Sequence, residues 1–309
     1  MDQKKIILVT GATSRQGNSV AKALLADNHF TVRILTANTN FPKAIALKNA
    51  GAEVVEGSLD DIESLQLAMK DCYGVFGITA FHENAEKEFT QGKNLVDAVK
   101  ENNIKHFVFS SLDSYSKLSG GTLPVEYAES KAALAEYIKG LHLPATFVQN
   151  SFAYENFFTF SKLQADEYGG FYFGFPQGDA RMAAVSTTDY GAVVTTVFNH
   201  PADYTGRTVK AVGDDRSCAE YAYIMSRVLG KRIYFRHISK EVYASNNFTG
   251  AAALANMFEA QRLYVSDHMI DLIETYGLNP STQNFENWVK TNREKFTACF
   301  ESAGKRLVA

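Results

Sequence analysis

The chain has 309 residues, with 31 basic and 34 acidic side chains and a formal net charge of −3, long enough for a large core in one or two units. That balance offers no basic face for nucleic acid and no polybasic anchor for a membrane surface, and no run approaches the ~20 apolar residues of a membrane helix. Three unevenly spaced cysteines, Cys72, Cys218 and Cys299, make neither a disulfide framework nor a zinc pattern, so the expectation is a cytoplasmic protein, with the nucleus as a second location.

The first half alternates short, continuously apolar, β-branched runs at 5–9, 31–35, 53–55, 75–78, 106–109 and 145–149 with stretches of helical periodicity. Continuous rather than alternating apolarity predicts strands buried on both faces, and strand followed by helix predicts a parallel sheet of right-handed βαβ units. Asp60 reads as the N-cap of a helix over 62–70, and Gly51 as the residue that closes a helix over 42–50. Past residue 150 the rhythm breaks. The segment 151–183 is rich in aromatics and glycines and predicts irregular structure and a hairpin forming a cleft wall. A helix over 186–199, a strand over 208–212, a helix over 218–229 ended by Gly230 and a mostly helical tail over 231–309 follow. The expected architecture is an α/β Rossmann fold, a doubly wound sheet over 1–150 with a return of 184–212, plus a smaller interleaved unit over 151–309.

The strongest local signal is IILVTGATSRQGNSVAKALL. A buried strand runs into Gly11, a tight turn leads through Thr13, Ser14, Arg15 and Gln16 to Gly17, and an amphipathic helix follows. This strand-turn-helix context is that of a dinucleotide fingerprint, in which free backbone N–H groups and the helix dipole hold a pyrophosphate. Gly11 serves the turn and Gly17 the close packing of helix on sheet. The middle glycine of the common spacing is replaced by Ser14, whose hydroxyl can meet a phosphate but whose Cβ pushes a cofactor outward.

GATSRQGNSV, then GAEVVEGSLDD, HFVFSS, LPATFVQNSFAYENF and VSTTDYGAVV in order, resemble the NmrA-like family of atypical short-chain dehydrogenase/reductases over most of the chain. The resemblance implies an NAD(P)-binding regulator that senses redox state through its cofactor. Nearby relatives in the superfamily are NADPH-dependent reductases. The partners implied are a dinucleotide, a protein such as a transcription factor or signalling enzyme, and a small aromatic or carbonyl ligand, with no direct nucleic acid and no membrane.

Cofactor choice is expected at the end of the second strand, where an acidic residue binds a ribose 2′-hydroxyl and an arginine a 2′-phosphate. Here the residues are Thr36-Ala37-Asn38, with no acid. The family arginine position is Ala37, and Arg15 and Lys43 are the substitute cations. The charge pattern favours NADP(H) over NAD(H). Ser58 and Leu59 stand where the superfamily often binds adenine; Thr79, Ala80 and Phe81 end the fourth strand at the carboxyl edge that ligands use.

Tyr127 and Lys131 have the YxxxK spacing of superfamily reductases. Residues four apart share a helix face, so the expectation is an ammonium that lowers the phenol pKa and also binds the nicotinamide ribose. Leu112 falls where the carbonyl-polarising serine counts, leaving Ser111 or Ser114 to serve after a local shift. Asn150, Ser151 and Tyr154 follow the sixth strand and are expected at the nicotinamide or ligand. The seven histidines lack ligand spacing, so no metal site is expected. Two readings stand: a redox-sensing regulator, favoured by Ala37 and the displaced serine, and an NADPH-dependent reductase of a small carbonyl, quinone or enone, favoured by Tyr127 and Lys131.

Overall fold

The computed structural model describes residues 4–80 and 84–308, the last five as backbone only. Six strands, β1 (Ile6–Val9), β2 (Thr31–Thr36), β3 (Glu53–Glu56), β4 (Cys72–Gly77), β5 (His106–Ser111) and β6 (Ala145–Asn150), are separated by α1 (Arg15–Asp27), α2 (Pro42–Asn49), α3 (Ile62–Met69), α4 (Ala85–Glu101), and α5 (Tyr115–Leu118) with α6 (Glu126–Gly140). The second half runs through β7 (Phe152–Ala153), a 3-10 turn (Tyr154–Phe158), β8 (Gln164–Ala165), β9 (Phe171–Phe175), β10 (Arg181–Val185), α7 (Thr187–Asn199) and α8 (Pro201–Tyr204). It continues with β11 (Thr208–Ala211), β12 (Asp214–Ser217), α9 (Cys218–Leu229), β13 (Ile233–His237), α10 (Lys240–Ala244), α11 (Ala251–Tyr264), α12 (Met269–Leu278), α13 (Phe285–Thr291) and α14 (Arg293–Val308).

The main sheet has seven strands in the order β11-β6-β5-β4-β1-β2-β3, all paired in parallel. The fold is therefore Rossmann-like, as the strand-helix alternation predicts. The strand order reverses between β1 and β4, and open sheets of this kind offer a crevice at the carboxyl ends of the strands beside such a switch point. Thr10 fastens that point, accepting from the Ile78 amide at 2.9 Å and packed on the Phe76 and Ile78 carbonyls.

Buried apolar side chains cover both faces of this sheet. Ile7, Val9, Val20, Leu24, Ile34, Val193 and Val197 pack on one side, and Leu8, Leu65, Val75, Leu95, Phe107, Leu134 and Ile138 on the other. A third, aromatic core lies in the second half, around Tyr154, Phe157, Phe173, Phe175, Tyr221, Phe258, Phe285 and Trp288. Two three-stranded sheets, β12-β10-β7 and β13-β9-β8, border it. The two halves are laced together, because α7 lies against α1, with Ser19 donating to the Thr187 carbonyl at 2.5 Å, and β11 returns to pair with β6.

Local signals hold with small shifts. Asp61, not Asp60, caps α3, accepting from the Glu63 and Ser64 amides. Asp60 instead accepts from Gln91 Nε2 at 2.9 Å. Gly230 ends α9 at φ 65°, in the left-handed region that favours glycine.

Candidate functional site

The glycine turn is fixed by steric need. Gly11 has φ +59°, and a Cβ on Gly17 would lie 2.2 Å from the Gly11 carbonyl oxygen. No side chain fits there, so α1 starts directly against the end of β1. Ser14 caps α1, its Oγ accepting from the Gly17 amide at 3.1 Å. This refines its expected role: one lone pair is engaged by the helix, while the hydroxyl proton stays available to a phosphate. No acidic residue occupies the first turn of α1, so the helix dipole there is left uncompensated for an anion. Thr13 and Gln16 are half-buried between the glycines.

The two candidate cations separate. Lys43 Nζ donates to the Thr13 carbonyl at 2.8 Å, holding an ammonium over the turn from the α2 side. Arg15 Nη1 donates instead to Asn156 Oδ1 at 2.8 Å, in the 3-10 turn of the second half. Thr36, buried at the end of β2, receives the Asn38 amide on its Oγ1, and Asn38 Oδ1 receives the Asn40 amide. These bonds shape the loop after β2. Ser58 accepts from the Asp60 amide at 3.1 Å, and the Leu59 carbonyl accepts from Asn94, so both sit in an ordered turn after β3.

At the end of β4, Thr79 is buried and Ala80 exposed; Phe81 lies outside the described residues. Lys131 Nζ makes three bonds, to the Thr79 carbonyl at 2.9 Å, Thr79 Oγ1 at 2.8 Å and Glu88 Oε1 at 2.6 Å. Thr79 Oγ1 also donates to Glu88 Oε1 at 2.7 Å. Burial holds the Lys131 ammonium below its ordinary pKa, and the Glu88 carboxylate opposes that shift.

The structure does not show the expected activation of Tyr127 by Lys131. Burial pushes the Tyr127 hydroxyl far above its ordinary value, with Tyr115 and Tyr243 adding to the effect, and the phenol reaches Met257 Sδ of α11 at 3.1 Å. Spacing puts the two residues on one face of α6, but α11 draws the phenol toward the second half and Thr79 and Glu88 hold the ammonium at the sheet edge. Ser114 is likewise committed, capping α5 and donating to Glu129 at 2.5 Å. Ser111 is buried at the end of β5 and its Oγ has no hydrogen-bond partner.

Tyr154 also departs from expectation. It is fully buried in the aromatic core, its ring 5.1 Å from Phe285 and 5.3 Å from Trp288, with its hydroxyl toward the Gln283 carbonyl rather than a cleft. Asn150 and Ser151 are half-buried at the end of β6, with Asn150 Oδ1 and Ser151 Oγ buried and without partners.

Two residues escaped the sequence reading. Glu88 falls on the buried stripe of α4 with Gln91, Gly92, Leu95, Val96 and Val99, and an acid in register with an apolar stripe was the available signal. Asn156 had none, because its partner Arg15 lies 141 residues away.

Buried polar atoms normally find partners. Ser111 Oγ, Asn150 Oδ1, Ser151 Oγ and Glu88 Oε2 lack them, and the first three stand at the carboxyl ends of β5 and β6. With the glycine cradle at β1, this set fits an extended polar ligand carrying an anionic centre. No group of His, Cys, Asp and Glu among the described residues could hold a metal ion.

Fold and site together are those of a Rossmann-like protein with a glycine turn and unpartnered polar atoms at the carboxyl edge of its sheet. A model of the NmrA-like family matches residues 3–286, and the chain belongs to that family. It is 29% identical over 255 residues to the NmrA-like family domain-containing oxidoreductase FrzB of Cladobotryum sp, covering 75% of this chain and 76% of that one. Among solved structures, the negative transcriptional regulator NmrA superposes with TM-score 0.83 at 21% identity, covering 98% of both chains. The triphenylmethane reductase of Citrobacter sp., solved with NADP(H), superposes with TM-score 0.74 at 20% identity over 94% of this chain and 99% of its own.

Proposed function

We propose that the chain binds a nicotinamide dinucleotide across the glycine turn and the β4 edge, and that it works as a redox-sensing regulator whose contact with a protein partner follows the state of that cofactor. The observation that carries the reading is the Arg15–Asn156 bond, which ties the first residue of the phosphate-binding helix to the second half. A ligand that changes what Arg15 can reach thereby changes the hold on the 3-10 turn. NmrA, similar over its whole length, has been solved with NADP and with NAD.

In this reading the Gly11–Gly17 turn with Thr13, Ser14, Arg15 and Gln16 holds the pyrophosphate. Thr36, Asn38 and Lys43 face the adenine ribose, Ser58 and Leu59 the adenine, and Thr79, Ala80, Lys131 and Asn150 the nicotinamide half. Lys43 over Thr13, with no acid at the end of β2, favours NADP(H). A bound nicotinamide supplies or accepts a hydride. Burial raises the Tyr127 phenol above its ordinary value and makes it a weaker proton donor, which suits sensing better than turnover. The partner is a protein such as a transcription factor or signalling enzyme, which suits a cytoplasmic protein that also enters the nucleus. Sensing requires that oxidised and reduced, or phosphorylated and unphosphorylated, cofactors prefer different conformations, since equal affinity shifts nothing.

A second reading, an NADPH-dependent reductase of a small carbonyl, quinone or enone, is favoured by relatives such as FrzB that are named oxidoreductases. Calorimetric titration of NADPH, NADP, NADH and NAD tests the shared core, and absence of binding by all four at millimolar concentration overturns both readings. Hydrogen exchange of 151–183 that differs between cofactor states supports the sensor. Cofactor oxidation by a carbonyl or quinone that is lost in Tyr127→Phe, with binding retained, replaces it with the enzyme.

A further inference from the structure

A buried carboxylate stands at the sheet edge where no motif called for one. The Glu88 side chain is wholly buried, Oε1 receives both Lys131 Nζ and Thr79 Oγ1, and Oε2 is buried with no hydrogen-bond partner. A carboxylate can accept about four hydrogen bonds, and one buried with half of that capacity unused is costly unless something else fills it. Lys131 has spent its three donors on Thr79 and Glu88, so its ammonium is pinned rather than mobile.

We infer that Glu88 is the positioning residue of the dinucleotide site, holding Lys131 as a fixed cation at the end of β4 and offering Oε2 to an O–H donor that arrives with the nicotinamide half of the ligand. The inference rests on the dinucleotide reading above. The ribose hydroxyls are the O–H donors a dinucleotide carries on that side, and an anionic acceptor makes such a bond stronger than a neutral one would. Glu88 has a second effect through charge. Lys131 loses basicity by burial, and among the described residues Glu88 is the charged group that faces it and restores part of that basicity. Without the carboxylate the ammonium becomes easier to deprotonate, so a site that uses the cation weakens as pH rises.

Titrating the full chain calorimetrically with NADPH, NADP, NADH and NAD at about pH 7 and about pH 9 tests this, with wild type, Glu88→Gln and Glu88→Asp compared and their urea midpoints recorded. Wild type should bind its preferred dinucleotide with little change between the two pH values. Glu88→Gln should bind roughly tenfold more weakly at neutral pH, as loss of a charge-assisted bond implies, and should weaken further at the alkaline value. Glu88→Asp, which keeps the charge but withdraws it by one methylene, should bind more weakly with no added pH dependence. Wild-type affinity and pH profile in Glu88→Gln overturn the role of Glu88 while leaving dinucleotide binding intact. If Glu88→Gln does not fold, wild-type affinity in Glu88→Asp overturns it instead. No binding by wild type removes the dinucleotide reading itself.

Discussion

Arg15 and Asn156, 141 residues apart in the chain, meet at 2.8 Å between the start of α1 and the 3-10 turn that follows β7. Both ends of this bond belong to rigid neighbours. Arg15 starts a helix packed on the sheet, and beside Asn156 the Glu155 carboxylate receives the Thr187 amide and hydroxyl at the start of α7. Exposed bonds of this kind contribute little to stability, so Asn156→Ala should cost less than about 1 kcal/mol. Its larger effect should be on exchange: amides of 154–163 should exchange faster in the variant, and the difference that a dinucleotide makes there should shrink. Hydrogen-exchange mass spectrometry with and without NADPH checks both.

Lys43→Ala removes the cation held at the Thr13 carbonyl without touching a buried atom, since Lys43 is exposed. If the ammonium meets a 2′-phosphate, affinity for NADPH should fall about tenfold, the scale of one charge-assisted bond, while affinity for NADH should stay unchanged. Equal loss for both would place Lys43 on the pyrophosphate instead. Paired calorimetric titrations decide.

Substitutions in the glycine turn should part in sign. Gly17→Ala sets a methyl 2.2 Å from the Gly11 carbonyl oxygen, so α1 must shift from β1. A cost of about 1–3 kcal/mol is expected from such overpacking, with dinucleotide affinity lost as well. Ser14→Gly gives up a helix cap, yet glycine is itself tolerated at an N-cap, and the cost should be a few tenths of a kcal/mol. With the Cβ gone, dinucleotide affinity should hold or improve. Urea unfolding and calorimetry on the two variants check the contrast.

His106 predicts an acid-side loss of stability. It is fully buried on β5 with Nε2 2.9 Å from Thr146 Oγ1, and burial pushes its pKa down from 6.5 to about 4. Between those values the unfolded chain binds a proton that the folded chain does not, so stability is fully present above pH 6.5 and falls as pH drops toward about 4. The shift corresponds to as much as ~3 kcal/mol. His106→Gln removes the titration, so thermal unfolding midpoints of wild type should drop more steeply than those of the variant between about pH 6.5 and 4.5.

The fold was legible because strands buried on both faces need continuous apolar runs, and the runs at β1, β2, β4, β5 and β6 have them. The glycine turn was legible because its demand is local: a carbonyl lies where a Cβ would be. Other features depend on contacts from far along the chain. Helical spacing places Tyr127 and Lys131 on one face, yet the phenol direction is set by Met257, 130 residues later. The aromatics of 151–183 gave no sign of which would be core. Tyr154, Phe157, Phe173 and Phe175 are buried there, while Phe160 remains exposed. Asp60 and Asp61 are adjacent acids before one helix, and composition cannot choose between them.

The return of β11 to the side of β6 bears on how the protein is made. A nascent chain that has reached residue 150 still lacks the strand that covers the open edge of β6 and the α7 surface against which α1 packs. An uncovered parallel edge can pair with a foreign strand, so emergence from the ribosome leaves the Rossmann-like half vulnerable until roughly sixty further residues, Ser151 to Ala211, have followed. A fragment stopped at residue 150 should aggregate, and one carried through residue 211 should be the first to hold all seven strands of the main sheet.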